Sequence, residues 1–191
     1  WLGGMGIIVL AVAVLPLLGI GGMQLYKAET PGPLKDSKLT PRIKETAKAL
    51  WYVYLTMTVL CALAYKVFGM TTYDAICHAF STVSIGGFST HDNSFGFFTQ
   101  SSIKWTAVVF MVISGINFGL HYIAWSKRSL LHYFYDSEVK AYLLILLCTF
   151  GLTFLTLSVY LKGSDENLFQ ESAFQVVSIA TTTGFLTANY S

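Results

Sequence analysis

The stretch "FSTVSIGGFSTHDN", residues 80 to 93, sets Ser81, Thr82, Ser84, Ser89 and Thr90 around Gly86-Gly87, between two long apolar runs. A second stretch, "VVSIATTTGFLTAN" at residues 176 to 189, repeats the pattern. The surrounding chain of 191 residues is 54% hydrophobic and 12% charged, where soluble domains carry about 25% charged residues. Its mean hydropathy is +0.58. This is a bilayer composition, so polar, glycine-rich backbone must be buried in protein or line a wet cavity.

Four long runs hold no Asp, Glu, Lys or Arg: residues 1–26, 49–65, 105–126 and 141–161. About 20 apolar residues cross the ~30 Å hydrocarbon core as a helix, so these predict four spans. The second is short and recruits residues 47–48 and the Val67-Phe68 end. Two further neutral runs, 75–91 and 172–191, reach their glycine-rich part after a dozen residues. That length predicts re-entrant segments rather than spans.

Basic residues fix the orientation. Lys27, Lys35, Lys38, Arg42, Lys44 and Lys48 crowd the first connection, and Lys127, Arg128 and Lys140 the third. The others carry only Lys66 and Lys104, or Lys162. The positive-inside rule puts the first and third connections in the cytoplasm and both glycine-rich segments outside. A net charge of +2 gives no basis for nucleic-acid binding. The chain opens on Trp1 with no charged region before the first apolar run, which reads as part of a longer protein and not as a signal peptide. Cys61, Cys77 and Cys148 form no C-x-x-C pair and read as small buried hydrophobes.

Pro16 predicts a kink in the first span. Pro31, Pro33 and Pro41 predict an irregular linker, and Thr40-Pro41 the start of a long outward helix. Beyond "GMTTYDAICHAFSTV", Ile76, Ala79, Phe80 and Val83 fall at helical spacing behind Asp74. This short helix enters the membrane and stops.

Sliding the chain by 97 residues sets Gly87 on Gly184 and pairs Asp74 with Glu171, Ser81 with Ser178, Ser84 with Thr181, Phe88 with Phe185 and Thr90 with Thr187. One G-F match would mean little. The same register in the surrounding topology makes this a duplication.

A half-membrane helix followed by glycine- and hydroxyl-rich backbone presents carbonyl oxygens, and a dehydrated cation is their natural partner. Gly87 and Gly184 supply backbone freedom, while Ser84, Ile85, Gly86, Thr181, Thr182 and Thr183 supply oxygens. Asp74 and Glu171 complement the positive ends of the short helices and concentrate cations at the mouth. The alternative is ordinary turn residues between helices. Two copies in one register favour the pore.

The motifs "STVSIGGFSTHDNS", "VSIATTTGF", "GINFGLHY" and "WLGGMGI" resemble the Trk/Ktr/HKT potassium transporter superfamily, and within it the bacterial TrkH-type subunits, over essentially the whole chain. The resemblance implies an all-α integral membrane protein with repeated units of span, pore helix, filter loop and span, four of them around one pore. Residues 1–25 then form the closing span of a first unit, 26–45 a cytoplasmic linker, 46–126 a complete unit, 127–137 a cytoplasmic connection, and 138–191 the start of the next unit. The bound species it implies is the potassium ion, held by the carbonyls of residues just before the key glycines Gly87 and Gly184. Those are Ile85 and Gly86 in one loop and Thr182 and Thr183 in the other. It further implies a multi-pass protein of the bacterial plasma membrane, in contact with lipid, a homodimer, and a cytoplasmic nucleotide-binding regulatory subunit of the TrkA kind. Channel-like passage and coupling to protons or sodium both stay open.

His78, four residues after Asp74 on the same face, reads as a packing histidine, because the repeat has Gln175 there. His91 and Asp92 read as solvated loop residues. Gly115-x-x-x-Gly119 reads as a close helix contact and Asn117 as a bond across helices. Residues Leu130 to Tyr135 read as an interfacial aromatic anchor. No nucleophile elbow, metal-spaced histidine pair or phosphate loop supports an enzyme. Ser89 and His91 share a loop without a supporting group, so an intramembrane serine protease gains little. A tetrameric channel of identical subunits would not carry two different loops in one chain.

Overall fold

The computed structural model describes residues 1, 4, 43–127, 129, 131–160 and 167–187. Apart from residues 1 and 4, the expected first span falls outside them, as does most of the linker. Every regular element among the described residues is helical.

Helix α1 (Ile43–Val67) covers 25 residues. It ends in a Schellman cap, where Met70 N–H donates to Tyr65 O and Gly69 N–H to Lys66 O. Helix α2 (Thr72–Val83) is three turns long and starts from Thr71, whose hydroxyl accepts the Asp74 N–H. A short 3-10 turn, Ser94–Phe97, leads into α3 (Ser101–Ser114) and α4 (Phe118–Ser126). Helix α5 (Leu131–Tyr135) is a single short turn before α6 (Ser137–Tyr160). Asp136 caps α6 by accepting the N–H groups of Glu138 and Val139, both at 3.0 Å. Helix α7 (Leu168–Ala180) is the second short helix.

Residues 49–67 of α1 and the whole of α6 are long and apolar enough to cross a membrane. Leu144, Leu147, Leu155 and Val159 stand exposed on α6, an apolar surface suited to hydrocarbon. Cys148 also lies exposed there, contrary to the expectation of burial, while Cys61 is buried.

The third expected span, 105–126, is not one straight helix. Helices α3 and α4 meet at 89° across Gly115-Ile116-Asn117. The break is satisfied locally: Asn117 Oδ1 accepts the Gly119 N–H at 2.9 Å, starting α4 afresh. Carbonyls in the last turn of α3 gain side-chain donors. His121 Nε2 donates to Ile113 O (3.0 Å), leaving Nδ1 to accept the Tyr133 hydroxyl (2.7 Å). Tyr142 on α6 donates to Val112 O at 3.3 Å. A Cβ on Gly115 would collide with the Tyr142 hydroxyl, so the small residue serves this close approach. Asn117, expected to bond across helices, is a cap that also reaches the Glu138 carboxyl. Asn117→Ala should cost about 1 kcal/mol through the lost cap, with Asn117→Ser, which keeps a capping oxygen and adds no charge beside Glu138, milder. Thermal unfolding of the full-length protein in detergent reads the difference.

The two short helices are held between the long ones. Helix α2 packs on α1 and α3, and α7 packs on α3 and α6. The fully buried Tyr65, Phe95, Phe174 and Phe185 fill the centre. Helix α3 therefore joins the two units and fixes the loops that follow α2 and α7.

Candidate functional site: two paired loops

Each short helix ends in a loop that folds back on it. After α2, the N–H groups of Ser84, Ile85 and Gly86 donate to Phe80 O (3.3 Å), Thr82 O (3.1 Å) and Ser81 O (2.8 Å). After α7, Thr181 N–H donates to Val177 O (2.9 Å), Thr182 N–H to Ile179 O (2.9 Å) and Gly184 N–H to Ser178 O (3.2 Å). The first two bonds in each loop are the same bonds 97 residues apart. The donors thus turn back to the helix end, and the carbonyls are left over. Among the described residues, no donor reaches the carbonyl oxygens of residues 84–87 or 181–184.

The backbone alternates in hand. Positive φ occurs at Ile85 (55°), Gly87 (67°), Thr182 (62°) and Gly184 (82°), with negative φ between. Alternating hand along a short strand sends successive carbonyls to one side and N–H groups to the other. Glycine meets this requirement cheaply at 87 and 184. The β-branched Ile85 and Thr182 do not, and each carries strain of about 1–3 kcal/mol. Sequence reasoning singled out these two as oxygen donors but not as left-handed residues, because their type argues against that conformation.

The loops also touch each other. A Cβ on Gly87 would strike the carbonyl oxygen of Thr183, which brings one loop's key glycine against the other loop's backbone. Three of the side-chain hydroxyls are engaged locally: Thr181 Oγ1 donates to Val177 O (2.7 Å) and pairs with Thr183 Oγ1 (2.8 Å), and Ser84 Oγ donates to Ser81 O (3.3 Å). No group of three His, Cys, Asp or Glu side chains suited to a metal ion occurs among the described residues. Backbone oxygens are the cation-binding chemistry that the loops offer.

Asp74 does not stand free at a mouth, contrary to expectation. It is buried, with Oδ1 accepting from Thr90 (2.6 Å) and Oδ2 from Thr71 (2.7 Å). The Thr90 hydroxyl first, and that of Thr71 next, hold its carboxyl below the usual aspartate range. In the second unit Glu171 Oε2 accepts from Thr187, and Oε1 pairs with Lys104 at 2.7 Å. Lys104 sits on α3, so this ion pair crosses between units. Beside it, Ser101 Oγ donates to Gln170 Oε1 and Gln170 Nε2 to Ser101 O, both at 2.8 Å.

His78 packs as expected, with a further task. Nδ1 donates to Asp74 O (2.8 Å), so the neutral ring's Nε2 accepts from Ser89 (2.9 Å); burial lowers its pKa and favours that form. Gln175 does similar work in the repeat, donating to Thr187 Oγ1 at 2.9 Å. Asp92 is exposed as expected, whereas His91 is half-buried. Its ring stacks on Phe97 at 3.6 Å, and Nε2 lies 3.3 Å from Asp74 Oδ1. Phe88 is 82% exposed while its repeat partner Phe185 is fully buried with its carbonyl held by Ser178. The roles of Thr71 and Phe95 were not read from sequence, although T-x-x-D and the F-G-F-F run carried the signals.

The TrkH family model, described as a cation transport protein, matches residues 1–191. The Trk system potassium uptake protein TrkH of Halomonas elongata is 56% identical over 194 residues, covering 100% of this chain and 40% of the relative. That of Escherichia coli K12 is 53% identical, covering 98% and 39%. The crystal structure of the potassium transporter TrkH from Vibrio parahaemolyticus superimposes with a TM-score of 0.79 at 47% identity, covering 98% of this chain and 37% of that one. The chain thus spans about two-fifths of the length of these curated relatives. With the family model matched end to end and the helical fold shared, the chain belongs to the TrkH family of multi-pass membrane cation transport proteins.

Proposed function

We propose that the loops 84–87 and 181–184 are two strands of the selectivity filter of a potassium uptake pore, and that this chain is part of its pore-forming subunit. The observation that carries this is the row of carbonyls that no donor among the described residues reaches, with the N–H groups of residues 84–86, 181, 182 and 184 bonded back to the short helices. Carbonyls in such a row replace an ion's hydration shell, and no covalent step is needed. Potassium is then the cargo, bound at the carbonyls of Ser84, Ile85, Gly86 and Gly87 and of Thr181, Thr182, Thr183 and Gly184. The carbonyl-rich ends of α2 and α7 add a negative field there. The relatives' name, Trk system potassium uptake protein, supports both the ion and the direction. It also supports work within a Trk system. A homodimer in the bacterial plasma membrane and a TrkA-like nucleotide-binding subunit extend that reading.

The test is flux. Full-length protein in liposomes should pass potassium well ahead of sodium, measured by ion-selective electrodes or radioactive rubidium. Absence of cation flux, or equal passage of both ions, overturns the reading.

A further inference from the structure

Resting on the filter reading above, we propose that Asp74–Thr90 and Glu171–Thr187 are latches that hold each filter strand taut, making these four side chains positioning residues for ion selectivity. The lower end of each strand is pinned to the last turn of its short helix by the backbone bonds of residues 84–86 and of 181, 182 and 184. The upper end returns to the first turn of the same helix, where Thr90 donates to Asp74 Oδ1 and Thr187 to Glu171 Oε2. Both pairs lie 97 residues apart, so the device is repeated and not incidental.

The lengths leave little slack. From Ile85 to Thr90 a fully extended chain reaches about 17 Å. The helix from Asp74 to Val83 rises about 14 Å, and the strand must also cross to the helix flank. The same counts hold from Thr182 to Thr187 and from Glu171 to Ala180. A strand fixed at both ends of one rigid rod keeps its carbonyls at fixed spacing. Releasing the upper end frees it to relax its strained left-handed residues, Ile85 and Thr182.

Each latch is supported differently. The Asp74 latch is shared with Thr71, and His78 holds the neighbouring Ser89. The Glu171 latch is braced by Gln175 on Thr187 and by Lys104 from the preceding unit. Charge-assisted bonds of this kind are short and about twice as strong as neutral ones.

The experiment measures potassium and sodium flux of the full-length protein in liposomes for Thr90→Val, Thr90→Ser, Thr187→Val and Asp74→Asn, with Gly87→Ser as reference. Thr90→Val and Thr187→Val should lower the potassium-to-sodium flux ratio on the order of tenfold, the scale of one hydrogen bond to a charged acceptor. Thr90→Ser keeps the hydroxyl and should keep the ratio. Asp74→Asn keeps an acceptor without charge and should fall between. A merely structural role would reduce total flux and leave the ratio alone. If Gly87→Ser lowers the ratio while Thr90→Val does not, the latch is wrong and the filter reading stands. If neither changes it, the filter reading fails first and the latch falls with it. Should Thr90→Val not be recovered from membranes, Asp74→Asn decides: a ratio equal to that of Thr90→Ser overturns the latch.

Discussion

Gly87→Ala in the full-length protein is expected to cut the potassium-to-sodium flux ratio by more than tenfold, whereas Gly86→Ala, one residue earlier, should change it little. The two glycines differ in what the backbone asks of them. Gly87 has φ +67°, a conformation that costs an L-residue about 1–2 kcal/mol, already close to a factor of ten. Its Cβ would also drive into the Thr183 carbonyl oxygen, which is part of the other loop and cannot rotate aside like a side chain. Strain and collision therefore act on the same oxygens that the filter reading assigns to potassium. Gly86 has negative φ, and a Cβ there meets Ser84 Oγ at 3.1 Å, the end of a side chain that can turn. Gly87→Ser adds a hydroxyl to the same displaced carbonyl and should raise sodium passage further. Flux ratios in proteoliposomes check the order. Equal ratios for Gly86→Ala and Gly87→Ala would mean that neither φ nor the Thr183 contact governs selectivity.

Much of the architecture was legible because it is written in composition and spacing. The neutral runs marked α1 and α6, and the 97-residue offset paired residues whose hydrogen bonds recur in space. The break at Gly115 to Asn117 was not legible. Hydropathy counts side chains along the run and registers nothing of a cap formed by Asn117 or of Tyr142 arriving from another helix. Asp74 and Glu171 were placed correctly at the helix starts, yet their threonine partners lie 16 residues away in each unit, beyond any local pattern. The repeat had already paired Thr90 with Thr187. What it could not supply was the return path of the strand that brings each threonine to its own acid.

Phe95 illustrates the same limit and leads to the largest expected loss of stability. It sits in "HDNSFGFFTQ", a segment whose polar residues read as an external loop, yet its side chain is fully buried. Its ring centroid lies 4.5 Å from Phe185, 5.2 Å from His78, 5.3 Å from Phe174 and 6.0 Å from Tyr65. Those neighbours come from both units: Tyr65 and His78 from α1 and α2, Phe174 from α7, and Phe185 from the strand after the second loop. Nearby, Gly96 N–H donates to Leu186 O at 3.1 Å, tying the same turn to that strand. Phe95→Ala removes a ring that no single neighbour can replace, at a cost of about 3–5 kcal/mol for the transfer and the cavity. Phe97→Ala, two residues on, removes a ring that is half exposed, stacks on one face of His91 and meets Phe98 edge-on. It should cost no more than about 1 kcal/mol, near the centre of the distribution for point substitutions. Thermal unfolding of the two full-length variants in the same detergent separates them. If Phe97→Ala is as damaging as Phe95→Ala, the two units are not joined through this ring, and the contact between Gly87 and Thr183 needs another support.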